Sequence, residues 1–202
     1  MNFLKMNLPN KITVLRVLLV PIIVIVFFFP YSYFGIAIPT YHFGNVSLSL
    51  LNIIACAIFA LASFTDFLDG YLARKHNLIT TFGKFLDPIA DKLLVNTLFI
   101  LMAVFGIVPA VPVIVMIWRD TLVDAMRMVA MERGKVVAAG FLGKLKTVLQ
   151  MITIVLVLLN NLPFELYGLP VSDIMLWSSM VASVLSGVYY FVQLKDYILE
   201  SI

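Results

Sequence analysis

The chain has 202 residues, of which 62% are hydrophobic and only 12% charged, with a formal net charge of +3. A mean hydropathy of +1.06 excludes an ordinary soluble globule and indicates an integral membrane protein, a single membrane domain over residues 1–202 with no nucleic-acid partner. Cys56 is the single cysteine, so an intrachain disulfide and a Cys-based metal site are excluded.

Six helical segments follow from apolar content and from Gly and Pro punctuation. The first, roughly 10–29, follows Lys5 and carries Lys11 and Arg16 near its start, as a signal peptide's apolar run would. Phe27-Phe28-Phe29-Pro30-Tyr31 offers no small-residue cleavage site, so the segment is read as an uncleaved span. Pro30, Pro39 and Gly44 mark the loop that follows. The second and third segments run over roughly 48–75 and 82–106. Gly106 and Pro109 mark a tight turn into the fourth, roughly 109–134, and the fifth covers roughly 142–160. Asn160, Asn161 and Pro163 open the loop before the sixth, roughly 171–199. The expected fold is all-α and polytopic, with six transmembrane helices. Its long unbroken apolar stretches differ from the alternation of a β-barrel.

The basic residues orient these spans. With the N-terminus in the cytoplasm, all 14 Lys and Arg fall on the cytoplasmic half. Lys5, Lys11 and Arg16 flank the first span; Arg74, Lys75, Lys84 and Lys92 surround the junction of the second and third. Arg127, Arg133, Lys135, Lys144 and Lys146 surround the junction of the fourth and fifth, Arg119 sits deeper in the fourth span but toward that side, and Lys195 lies near the end of the chain. The outward loops carry none, which is the positive-inside pattern. It predicts cytoplasmic N- and C-termini.

Four carboxylates, Asp66, Asp69, Asp87 and Asp91, lie at the second and third spans' cytoplasmic ends. Acids beside lipid are costly and are usually retained for chemistry or ion handling. Asp66, Asp69, Gly70, Ala73 and Arg74 recur at i, i+3, i+4, i+7 and i+8, one face of a helix. Gly83, Asp87 and Asp91 recur at i, i+4 and i+8 on the next. Such oxygen donors without neighbouring His or Cys suit Mg²⁺, Mn²⁺ or Ca²⁺ and argue against zinc. Two such ions suit a diphosphate, Arg74 suits a phosphate oxygen, and Gly70 and Ala73 leave room for a ligand near the backbone. A carboxylate with spare capacity suits proton removal from an attacking hydroxyl. A divalent-cation transporter is the rival class, although its site is expected nearer the midplane.

The pattern D-x-x-D-G-x-x-A-R, eight residues, then G-x-x-x-D-x-x-x-D resembles the signature of the CDP-alcohol phosphotransferase family, and the six-span layout is similar to that family's as well. The resemblance implies that Asp66, Asp69 and Asp87 bind a pair of Mg²⁺ or Mn²⁺ ions, with Asp91 completing the site and acting as general base. It further implies that Gly70, Ala73 and Arg74 contact the CDP part of the donor and that Thr80 faces the donor's phosphates. The implied reaction is attack of an alcohol hydroxyl on the β-phosphorus of a CDP-linked donor, with CMP leaving. A homodimer is implied in the same way.

Leu8-Pro9-Asn10-Lys11-Ile12-Thr13-Val14-Leu15-Arg16 resembles the P-N-x-[IL]-T-x-x-R opening of the bacterial branch that uses glycerol 3-phosphate. Asn10 and Thr13 stand at the first helix's start, as caps or, by the resemblance, as a lining of the CDP-diacylglycerol pocket. Arg16 reads equally as a positive-inside anchor. Arg119 lies beside Asp120 within an apolar span, Arg127 lies eight residues on, and Gly143-Lys144-Leu145-Lys146-Thr147 opens the fifth span. A deep cation normally faces the bundle interior, so Arg119, Arg127, Lys144 and Lys146 form a candidate pocket for an acceptor's phosphate. This region is similar to that branch too, except that Asp124-Ala125-Met126-Arg127 replaces its common Thr-Gly-Leu-Arg. The resemblance therefore implies transfer from CDP-diacylglycerol to glycerol 3-phosphate, in a bacterial cell membrane at its cytoplasmic face. Inositol phosphate and phosphatidylglycerol are the alternative acceptors.

Overall fold

The computed structural model describes residues 7–75, 80–134 and 140–199. Among them are six α-helices: α1 (Leu8–Phe28), α2 (Leu50–Lys75), α3 (Thr81–Val104), α4 (Ala110–Glu132), α5 (Phe141–Leu158) and α6 (Val171–Leu199). Apolar periodicity and Gly/Pro punctuation thus locate every helix to within about two residues. Three are long and apolar enough to cross a membrane over Pro9–Phe28, Phe141–Leu158 and Val171–Asp196, and α2 has a shorter apolar run over Leu50–Asp66. In the remaining helices the ionisable residues interrupt the apolar run.

The loop expected between the first two spans holds a hairpin instead. Strand β1 (Thr40–Phe43) pairs antiparallel with β2 (Val46–Ser49), Phe43 opposite Val46 and Thr40 opposite Ser49. Gly44, with φ +59°, supplies the left-handed conformation that a two-residue Gly-Asn turn needs. Val46 and Leu48 bury one face of β2 beside the start of α2, whereas β1 is exposed throughout. Four-residue strands leave too short an alternation to stand out between two apolar helices. The Gly-Asn pair was the available signal.

The helices pack as two sets of three. α1 lies against α2 and α3; α6 lies against α4 and α5; α3 with α4 and α2 with α5 join the sets. The core between them is apolar, from Ile23 on α1 through Phe59, Leu98 and Met116 to Ile154 and Leu176. Ala55 and Ala62 on α2, and Ser179, Ser183 and Ser186 on α6, are fully buried. Side chains this small let neighbouring helices approach closely. Outward faces are apolar as well: Leu18, Ile22 and Ile25 on α1 and Val181, Leu185 and Val188 on α6 are about half exposed. A surface of this kind is unfavourable in water and suited to lipid.

Candidate active site

α1 begins with Asn7 as its cap, the Asn7 side chain accepting from the Asn10 backbone N–H at 3.2 Å. Asn10 and Thr13 are therefore not caps; being inside the helix, they turn with Arg16 toward α3. Thr80 caps α3, its Oγ1 accepting from the Gly83 backbone N–H at 3.0 Å and donating to Asn10 Oδ1 at 3.0 Å. A Cβ at Gly83 would come to 2.9 Å from Asn10 Oδ1, so only glycine permits this approach of α1 to α3. One turn on, Thr13 Oγ1 donates to Asp87 Oδ1 at 2.7 Å.

The next turn brings Arg16. Its Nη1 lies 2.7 Å from Asp66 Oδ1 and 2.8 Å from Asp91 Oδ1, joining α2 to α3 through α1. Arg16 is the residue that sequence reasoning undervalued. Its spacing from Asn10 and Thr13 on one side of α1 was the signal, but a positive-inside anchor has the same appearance in sequence. Asp66, Asp87 and Asp91 are each engaged through Oδ1, and Oδ2 of each takes no hydrogen bond from a described residue. Among the described residues no three of these acids already converge as a cation site. The side chains of Asp69, Gly70, Ala73 and Arg74 lie outside the described residues, although their backbone belongs to α2. Oxygen-only donors with one free oxygen each, held from behind by neighbouring donors, fit a hard divalent ion.

A cavity of about 80 Å³ beside the carboxylates is lined by Arg16, Asp66, Asp91 and Thr147, with Phe59, Ser63 and Met151 at its apolar side. Phe59, Ser63 and Met151 also line an apolar groove of about 310 Å³ between α2 and α5. The charged cavity and the apolar groove thus lie side by side, sharing these three residues as a common wall.

The four candidate acceptor cations lie on α4 and α5. Lys146 Nζ donates to both oxygens of Asp120, at 2.5 and 2.6 Å, and both side chains are buried at 7% and 6% exposure. Arg119 Nη1 donates to Asp120 Oδ1 at 2.9 Å and its Nη2 donates to Ser186 Oγ on α6. The guanidinium carbons of Arg119 and Arg127 lie 5.6 and 5.2 Å from the centre of the Tyr190 ring, a range in which a cation is attracted to the ring's face. The Tyr190 hydroxyl in turn accepts from the Gly140 backbone N–H at 2.9 Å, fixing α6 to the start of α5. Lys144 is exposed. Thus Arg119 and Lys146 share one buried carboxylate, Arg119 and Arg127 share one ring, and Lys144 stands apart. Ser186 and Tyr190 are partners that the sequence could not single out, since α6 reaches these cations only through tertiary packing. Asp124, the acid that departs from the expected pattern, pairs with Lys92 of α3, so its charge is offset locally.

Apolar helices enclosing an arginine-bridged pair of acids, with a lateral groove beside them, define a helical membrane protein with an oxygen-donor site. Residues 6–185 match the family model for CDP-alcohol phosphatidyltransferase, and the chain belongs to that family. Among its relatives, the CDP-diacylglycerol–glycerol-3-phosphate 3-phosphatidyltransferase of Bacillus subtilis (strain 168) is 45% identical over 185 residues, covering 92% of this chain and 93% of the relative. The protein of the same name from Rickettsia typhi is 34% identical over 192 residues, with 95% and 98% covered. That from Pseudomonas fluorescens is 37% identical over 169 residues, with 81% and 78% covered.

Proposed function

We propose that this protein transfers the phosphatidyl group of CDP-diacylglycerol to sn-glycerol 3-phosphate, giving phosphatidylglycerol phosphate and CMP. The observation that carries the reading is the adjacency of the carboxylate cavity and the α2–α5 groove, which share Phe59, Ser63 and Met151. A donor with a charged diphosphate and apolar chains needs both environments side by side. The strong likeness to transferases of that name over nearly the whole chain supports the same substrates.

Asp66, Asp69, Asp87 and Asp91 would hold two divalent ions, Mg²⁺ or Mn²⁺, which offset charge on the diphosphate and on the departing phosphate. The acceptor hydroxyl oxygen forms a bond to the donor's β-phosphorus, while the bond from that phosphorus to the CMP oxygen breaks. CMP leaves with the electron pair, and Asp91 takes the hydroxyl proton. Thr13 and Arg16 hold the carboxylates in place. Asn10, Gly70, Ala73, Arg74 and Thr80 contact the CDP part. Arg119, Arg127, Lys144 and Lys146 make the other side positive for the acceptor's phosphate, with Asp120 and Tyr190 orienting all but Lys144. The distribution of Lys and Arg supports six spans with cytoplasmic termini and a site at the cytoplasmic face of a bacterial membrane. We assign the whole chain to one membrane domain, working as a homodimer.

The test is CMP release by the purified protein with CDP-diacylglycerol and Mg²⁺. Glycerol 3-phosphate, inositol phosphate, serine and phosphatidylglycerol are each supplied separately. Release with glycerol 3-phosphate is expected. Release only with a neutral acceptor would exclude the phosphate pocket, and release only with inositol phosphate would reassign the acceptor.

A further inference from the structure

Arg16 is 1% exposed, whereas the Asp66 and Asp91 side chains that it joins are 41% and 48% exposed. The cation is therefore on the protein side of the acids, and their other side faces open space. Two carboxylates brought to one nitrogen repel each other, and beside an apolar core a counter-charge offsets that repulsion. Arginine supplies one that deprotonation cannot remove. Thr13 treats Asp87 differently. A neutral hydroxyl orients a carboxylate and leaves its charge intact, which favours a metal ion. A guanidinium orients its carboxylates and cancels part of their charge, which opposes one.

We propose that Arg16 is the resident counter-cation of the carboxylate site. It is a positioning residue that holds Asp66 and Asp91 together before a divalent ion arrives and weakens the binding of that ion by its own charge. The proposal rests on the reading that a divalent ion binds these acids. It assigns α1 a second task beyond facing the donor, namely setting the concentration of ion at which the site fills.

The experiment follows thermal unfolding of the full-length protein in detergent, first in EDTA and then across a Mg²⁺ titration. It compares the wild type with Arg16→Gln and Arg16→Lys. Arg16→Gln is expected to melt lower than wild type in EDTA, yet to reach half of its Mg²⁺-induced stabilisation at roughly tenfold lower Mg²⁺. Arg16→Lys, which keeps the charge, should stay within about twofold of wild type in that concentration. A purely structural arginine would lower the melting temperature and leave the half-saturating Mg²⁺ unmoved; that result, or a higher value in Arg16→Gln, overturns the proposal. If Arg16→Gln does not hold its fold in EDTA, recovery of native tryptophan fluorescence on adding Mg²⁺ supports the proposal, and failure to recover overturns it. A wild type whose melting does not respond to Mg²⁺ or Mn²⁺ overturns the divalent-ion reading and this one with it. A response in the wild type with an unchanged half-point in Arg16→Gln overturns only the role of Arg16.

Discussion

Asp66, Asp87 and Asp91 share one feature among the described residues, a donor from α1 on one oxygen and none on the other, and their differences set what each substitution does. Asp91→Asn keeps shape and removes basicity, so turnover should fall by roughly 10²–10⁴ while metal-dependent donor binding largely survives. Single-turnover CMP release beside equilibrium donor binding separates the two effects, and loss of donor binding would make Asp91 chiefly a ligand. Thr13→Val preserves shape and deletes the hydroxyl on Asp87. It should cost about 1 kcal/mol of stability and raise the half-saturating Mg²⁺ about tenfold, the opposite sign to Arg16→Gln. On the acceptor side, Arg119→Ala should raise the KM for glycerol 3-phosphate and leave donor affinity little changed. An unaltered KM would restrict Arg119 to its bonds with Asp120 and Ser186.

At the scale of elements, the α1–α3 seam decides the site. Its closeness depends on Gly83, where a methyl would stand 2.9 Å from Asn10 Oδ1 and 3.3 Å from Thr80 Oγ1. Gly83→Ala should therefore push α1 from α3, costing about 1–3 kcal/mol by overpacking and lowering kcat/KM as Thr13 and Arg16 withdraw from their acids. Gly143 on α5 makes the contrast, since its Cβ would meet the Tyr190 hydroxyl at an ordinary 3.4 Å. Gly143→Ala should keep activity and gain about 0.5–1 kcal/mol from helix propensity. Equal losses in both variants, measured by denaturation and turnover, would dissociate the Gly83 effect from this seam. The helices themselves were legible, because long apolar runs broken by Gly and Pro survive any tertiary rearrangement. The hairpin was not, because Val46 and Leu48 look like the first turn of α2 until the Gly44 turn folds them back.

For the whole molecule, the decisive element is the buried Asp120–Lys146 pair, which ties the two helices that carry the proposed acceptor cations. Leaving one charge of such a pair alone costs about 3–5 kcal/mol, whereas replacing both by apolar groups is often neutral. Asp120→Asn should thus lower thermal stability sharply, and Asp120→Leu with Lys146→Met should recover only part of the loss, because Arg119 keeps Ser186 and the Tyr190 ring but loses its carboxylate. Activity should not return with it, since Arg119 would lose its carboxylate partner and the pocket would lose a cation. A raised KM for glycerol 3-phosphate in the double variant is the expected reading. Wild-type kinetics there would confine the pair to folding.

The order of helices, their ends, the membrane character and the carboxylate spacing were determined by sequence alone, since each depends on composition or on periodicity within one segment. Tertiary structure alone decided which charge meets which. Arg16 reaches Asp91 across 75 positions, Lys92 reaches Asp124 across 32 and Lys146 reaches Asp120 across 26. A charge in an apolar bundle requires an opposite one, and the sequence shows that requirement at every acid. Any nearby cation would satisfy it, so the choice among them depends on which helices pack together.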